Sequence, residues 1–362
     1  MFKFRDRDLA QRILEKLKAM NLNIRIMHVC GTHQDTIIRY GLDSILSDCG
    51  VEIRQGPGCP VCVTTPREIQ EAITLAQKGK IVATYGDMFR VVGIDKSLAD
   101  VKAEGEGAKM VYSIEDALKL AQHTSKDVVF MAVGFETTAP ATASILLNKP
   151  PNNFSILNCH RYVPPALKAL IEMGELRIDG LIEPGHVSTI IGLKPYREIA
   201  KKYGVPQVVA GFEPLDLLMA VYMLAKRIKK GEAEVDNEYT RAVRPEGNLT
   251  ALKALSNVFE PTDVPWRGFP TIPRSGMKLR KEYEKYDARK NYSEDLKNIK
   301  IEETEEAKRC KCGEVLRGII NSKECPLFGT LCTPQHPVGP CMVSFEGSCN
   351  IEYKYNKRTC HK

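Results

Sequence analysis

The chain runs to 362 residues, 43% of them hydrophobic and 27% charged, and its 52 basic against 45 acidic side chains leave a net charge of +7. That length exceeds one ordinary hydrophobic core, so two or three domains are expected, and the balance of apolar and charged residues excludes a globally disordered chain. No window approaches the roughly 18 consecutive apolar residues that cross a bilayer, which excludes a membrane span.

The N-terminal stretch MFKFRDRDLAQRILEKLKAM alternates charge with apolar residues and holds no signal-peptide core, so the protein is expected in the cytoplasm. Leu9, Ile13, Leu14, Leu17 and Met20 form one stripe of a helix over 7–20, and 23–30 reads as a strand. At the strand's end stands Cys30-Gly31-Thr32-His33. A cysteine before a helix N-terminus has its thiolate favoured by the helix dipole, making Cys30 a candidate nucleophile or soft-metal ligand, with His33 able to ligate the same ion or shuttle a proton. The plainer reading is a packed core cysteine with a surface histidine.

A second strand over 51–54 leads into Gly56-Pro57-Gly58-Cys59-Pro60-Val61-Cys62. A Cys-x-x-Cys pair at a helix start suits a reversible disulfide, with half of a zinc site as the alternative. Thr65-Pro66-Arg67-Glu68 then supplies an N-cap, a first-turn proline and the partner of a capping box, predicting a helix through 78.

Further strands are expected at 81–85, 127–133, 154–158, 180–182 and 207–210, with helices at 113–123, 139–147, 164–173, 187–192 and 215–229. This alternation is the signature of βαβ units, and the fold class is α/β with parallel sheet. Two strand ends are alike, Gly134-Phe135-Glu136-Thr137-Thr138 and Gly211-Phe212-Glu213-Pro214, and a third carries Glu183-Pro184-Gly185-His186. Carboxylates, hydroxyls and an imidazole at the carboxyl ends of strands can position protons or a polar ligand, and each can equally cap a helix.

From about Pro261 the pattern turns rich in Pro and Gly, and the charged stretch over 274–308 mixes both signs, as a solvated face or linker does rather than a nucleic-acid surface. Seven of the 12 cysteines crowd into the last 53 residues: Cys310, Cys312, Cys325, Cys332, Cys341, Cys349 and Cys360. In a reducing compartment such a set implies metal or redox chemistry. Four of these thiolates suit a 4Fe–4S cluster or a structural zinc, and spacing does not choose between them. Cys49, Cys159 and Cys360 fit no motif.

The ordered series CGTH, GPGCPVC, GFETT, EPGHVS, GFEP and CKCGEVLRG…CPLFGTLCTP…PVGPCMVSFEGSC spans nearly the whole chain and resembles the motifs of the HypD family of nickel–iron hydrogenase maturation factors. The resemblance implies two similar parallel-sheet α/β domains facing a cleft, over 1–125 and 126–258, and a cysteine-rich iron–sulfur domain over 259–362. It implies that Cys310, Cys325, Cys332 and Cys349 hold a 4Fe–4S cluster, that Cys312 and Cys341 form a redox disulfide, and that Cys59 and Cys62 form the next redox pair. Cys30 would hold iron as an Fe(CN)2CO intermediate, with His33, Glu136, Thr137, Thr138 and His186 as further active residues. The partners implied are a HypC-type small chaperone and a HypE-type cyanide donor, with no nucleic acid and no membrane. The chain would then be an assembly scaffold with redox activity in complex with its partners. A stand-alone iron–sulfur thiol-disulfide oxidoreductase is the alternative.

Overall fold

A computed structural model describes residues 6–301 and 305–359. The first helix, Arg7–Lys18, is capped by Asp6, whose side chain accepts from the Leu9 N–H, and it buries Ile13 and Leu17. Eleven strands follow in chain order: β1 Ile24–His28, β2 Val51–Gln55, β3 Ile81–Thr84, β4 Ala108–Met110, β5 Val128–Gly134, β6 Phe154–His160, β7 Gly180–Pro184, β8 Gln207–Ala210, β9 Val235–Asn237, β10 Phe259–Pro265 and β11 Thr271–Leu279. The Thr65 capping box opens the helix Pro66–Gln77 as expected.

The strands form a five-stranded sheet in the order β2-β1-β7-β8-β9, a four-stranded sheet in the order β4-β3-β5-β6, and the hairpin β10-β11. Every pairing in the two larger sheets is parallel. Counting each sheet's own strands in chain order, both place the second beside the first and the third on its other side. This is a doubly wound arrangement, with a crevice at the carboxyl ends of the first and third strands where the connections diverge. In one sheet those strands are β1 and β7, in the other β3 and β5. The chain leaves the five-stranded sheet after β2, builds the four-stranded sheet whole, and returns at β7. Segments 1–125 and 126–258 thus each contribute strands to both sheets.

β5 is buried along all seven residues, so it is apolar throughout rather than alternating. The hairpin β10-β11 lies against β6 and the helix Val163–Met173. Its Trp266 is buried with its ring 5.7 Å from that of Phe135, just past β5. The cysteine-rich end spans both sheets: helix Ser348–Thr359 packs on helix Gly31–Tyr40 after β1, while Ser344 Oγ donates to Asp87 Oδ2, after β3, at 2.8 Å. Among the described residues no helix is long and apolar enough to cross a membrane.

Candidate functional site

The crevice of the five-stranded sheet gathers three of the motifs. Cys30 ends β1 as N-cap of the helix Gly31–Tyr40, and it is buried. Burial pushes its thiol up to about 12, against the pull of the His33 N–H, so desolvation outweighs the expected help from the helix dipole. His33 is no surface residue: it is fully buried, with its ring against the backbone of Ala210 and Gly211 and no side chain bonded to either nitrogen among the described residues. Burial first, then the fields of His28 and His186, lowers its pKa to about 3, so the ring is neutral. The His33 and His186 rings lie 5.4 and 5.2 Å from the ring of Phe212, with Tyr239 edge-on to Phe212 at 5.6 Å. CGTH, EPGH and GFEP therefore meet at Phe212, an aromatic centre that a search for polar residues passes over. On β7, Glu183 is fully buried with neither carboxyl oxygen bonded, and burial pushes its pKa up to about 8. His28, at the end of β1, is bonded to Gln34 at 2.8 Å.

The GPGCPVC loop lies directly on this crevice. A Cβ on Gly58 would fall on the backbone of Val29 and Cys30, and one on Gly56 would strike the side chains of Met27 and Val29. Only glycine permits that approach. Cys59 and Cys62 are joined in a disulfide at the start of the short helix Pro60–Val63, with their Cα atoms 5.2 Å apart. That helix packs against the helix Pro340–Val343, which carries Cys341.

Cys310, Cys312, Cys325, Cys332, Cys341 and Cys349 line one small cavity with Val315, Phe328 and Met342. Within it the Cys312 and Cys341 sulfurs stand 2.8 Å apart, both buried, while Cys310 is half-buried. Cys312 bonds to Cys310 as well as to Cys341, so the cavity offers either Cys310 or Cys312, with Cys325, Cys332 and Cys349, as a four-thiol set in an apolar wall. Such soft donors suit an iron–sulfur cluster or zinc. Among the described residues no three Cys, His, Asp or Glu side chains converge on a single-ion position. The loop between Cys341 and Cys349 closes over CGTH: a Cβ on Gly31 would come within 2.5 Å of Glu346 Cβ and 2.6 Å of its carbonyl oxygen. Asp87 accepts from the Phe345 N–H at 3.0 Å and holds this loop to the other sheet.

The GFETT acid comes near the crevice through Tyr196, a buried residue whose hydroxyl bonds to Ser188 and feels the fields of Glu183, Glu136 and Cys30 together. Glu136 is buried, Oε1 accepts from the Val163 N–H at 3.0 Å, and among the described residues no hydrogen bond or ring contact joins it to Cys30 or His33. Thr137 is exposed, and the Thr138 hydroxyl donates to the Phe135 carbonyl in the turn that opens the helix Ala139–Leu147. Cys49 and Cys159 are buried, the latter beside Arg289 in a network of Glu68, Glu71, Arg161 and Arg289, and Cys360 lies outside the described residues.

A family model for HypD, described as the Hydrogenase formation hypA family, matches residues 6–356. A chain from Methanocaldococcus jannaschii is 49% identical over 364 residues, covering 99% of this chain and 100% of its own length. The hydrogenase maturation factor HypD of Cupriavidus necator is 41% identical over 370 residues, covering 98% of this chain and 96% of its own. The chain belongs to the HypD family. Hydrogenase maturation is accordingly its field of action, and the HypD of Azotobacter vinelandii, 40% identical over 370 residues, is a further relative of that kind.

Proposed function

We propose that this HypD-family chain is the scaffold on which the Fe(CN)2CO group of nickel–iron hydrogenase is assembled. Cys30 holds the iron, with His33 and His186 beside it, and a thiol relay delivers electrons. The observation that carries the reading is one of packing. The cysteine cavity contains the Cys312 and Cys341 pair, the helix of Cys341 lies on the helix of Cys62, and Gly58 lies on the backbone of Cys30. Cys30, Cys59, Cys62, Cys312 and Cys341 are all buried, as thiolate-bound iron with cyanide and carbonyl ligands requires shelter from water.

A 4Fe–4S cluster on Cys310, Cys325, Cys332 and Cys349 would supply electrons one at a time. The chain's own sulfurs do the rest. Reducing the Cys59–Cys62 disulfide takes two electrons and two protons and yields two thiols, and Cys312 with Cys341 can release or take up the same two electrons and two protons as a disulfide forms or opens. The protein partners proposed are a small HypC-type chaperone and a HypE-type cyanide donor.

Replacing Cys30 by Ala is expected to abolish loading of iron with cyanide while leaving the brown cluster in place. Retained loading would remove Cys30 from the mechanism. Replacing Cys325 by Ala is expected to remove the cluster colour, and a brown Cys325→Ala protein would overturn the ligand set. A free-standing thiol-disulfide reductase uses the same sulfurs but gives no role to the His33, Phe212 and His186 stack.

A further inference from the structure

Glu136 also lines a cavity separate from that of the cysteines, formed between the helix Val163–Met173, the hairpin and the segment around Ile191 and Pro195. Its walls are apolar and rich in proline, with Pro164, Pro165 and Pro273 among them, and Ala169 and Leu252 complete one side. The volume of about 480 Å³ falls in the range of small-molecule sites. Three features mark it as built. Glu136 is only 1% exposed: Oε1 takes the Val163 N–H, the residue's own N–H lies against the carboxylate, and Oε2 makes no hydrogen bond to another described residue. A buried carboxyl oxygen left unbonded costs free energy unless something else satisfies it.

The second feature is a bulge. The register of β10 against β11 shifts between Thr262 and Val264, so the stretch carrying Pro273 and Arg274 has no regular partner. Arg274 adopts φ +56°, a left-handed conformation that a non-glycine residue rarely takes, and its N–H is held by Asp263 Oδ1 at 2.8 Å. Bulges commonly redirect side chains at sites, and this one brings Pro273 and Arg274 to the cavity. The third feature is charge. Lys168 and Arg274 both line the cavity, whereas the Glu172 carboxylate there is already engaged by Lys202 at 3.2 Å.

We propose that this cavity binds a small amphipathic organic anion: an apolar body against the prolines, a polar group bonded to Glu136 Oε2, and an anionic end at Lys168 and Arg274. Burial pushes the Glu136 carboxyl up to about 8, so near neutral pH Oε2 can donate as well as accept.

The probe is 8-anilinonaphthalene-1-sulfonate, which combines an aromatic body, an N–H and a sulfonate, titrated into the full-length protein and followed by fluorescence. Saturable binding at one site per chain is expected. Arg274→Gly, which keeps the left-handed backbone without the guanidinium, is expected to weaken it at least fivefold, as is Glu136→Gln. Ala169→Phe, which fills the cavity, is expected to abolish it. Circular dichroism identifies any variant that fails to fold, and the remaining variants then decide. Absence of saturable binding to the parent protein, or an unchanged Kd in the folded variants, would overturn the proposal.

Discussion

Replacing Gly31 by Ala tests how the cysteine-rich end closes over CGTH. Alanine is about 1 kcal/mol better than glycine inside a helix and gains less at Gly31, the first helical residue, so on local grounds the change should not destabilise. The new Cβ, however, meets Glu346 Cβ at 2.5 Å, its carbonyl oxygen at 2.6 Å and its Cα at 2.9 Å, and two of these are backbone atoms that cannot swing aside. Overpacking of this kind costs ~1–3 kcal/mol, so with any helical gain set against it the net expectation is a loss of up to about 3 kcal/mol in urea unfolding. The loop must also lift from Cys30. With its thiol pushed up to about 12, Cys30 is thiolate in roughly one molecule in ten thousand at pH 8, and it is only 1% exposed. Lifting the loop admits water, and alkylation of Cys30 by iodoacetamide, read by mass spectrometry peptide by peptide, is expected to accelerate at least tenfold while Cys49 alkylates as before. A variant as stable as the parent with Cys30 still unreactive would refute the closure.

Glu183→Gln probes the unpaired acid on β7. Because burial raises its pKa from 4.5 to about 8, the folded state holds a proton that the unfolded chain releases. Stability is therefore fully present below about pH 4.5 and falls as pH rises towards 8, by as much as ~5 kcal/mol. The glutamine variant should lose several kcal/mol less than the parent between pH 5 and 8.5 in parallel denaturation series, and superimposable curves would contradict the assignment. His28 and His33 work in the opposite sense: their pKa values are lowered to about 4 and about 3, so acid destabilises the fold as pH drops below the unfolded value of 6.5. Removing the Glu68 carboxylate, which Arg161 bonds at 2.6 Å and which Arg161 and Arg289 hold at about 2 against the effect of burial, leaves a buried guanidinium uncompensated. Glu68→Ala should cost ~3–5 kcal/mol, and a loss below 1 kcal/mol in thermal unfolding would show the pair to be dispensable.

Periodicity located most elements of the sheets because burial imposes it. The capped helix Pro66–Gln77, the helix Ala139–Leu147 and the strand Gln207–Ala210 lie where their patterns place them. The three-residue edge strands β4 and β9 carry too little pattern to read, and the hairpin is obscured by prolines at 261, 265, 270 and 273, which ordinarily mark loops. Sheet membership was not legible, since βαβ units look alike locally whether they extend one sheet or begin another. Within the site the cysteines and histidines declared themselves by chemistry and spacing. Phe212, Asp87 and Glu346 did not, because an aromatic or a lone acid carries no motif until the fold brings CGTH or the Cys341–Cys349 loop against it. Glu136 was legible as an acid at a strand end, but the cavity it lines was not, because that cavity depends on a bulge more than a hundred residues away in sequence.

The central claim is that these thiols serve an iron–sulfur relay feeding an iron site at Cys30. Anaerobic purification with iron, zinc and sulfide analysis and an infrared spectrum of the same sample tests it most directly. About four cluster irons and four sulfides per chain, accompanied by cyanide and carbonyl stretches that vanish in Cys30→Ala, are expected. Zinc in place of iron, or a complete cluster with no such bands when the maturation partners are co-expressed, would contradict it.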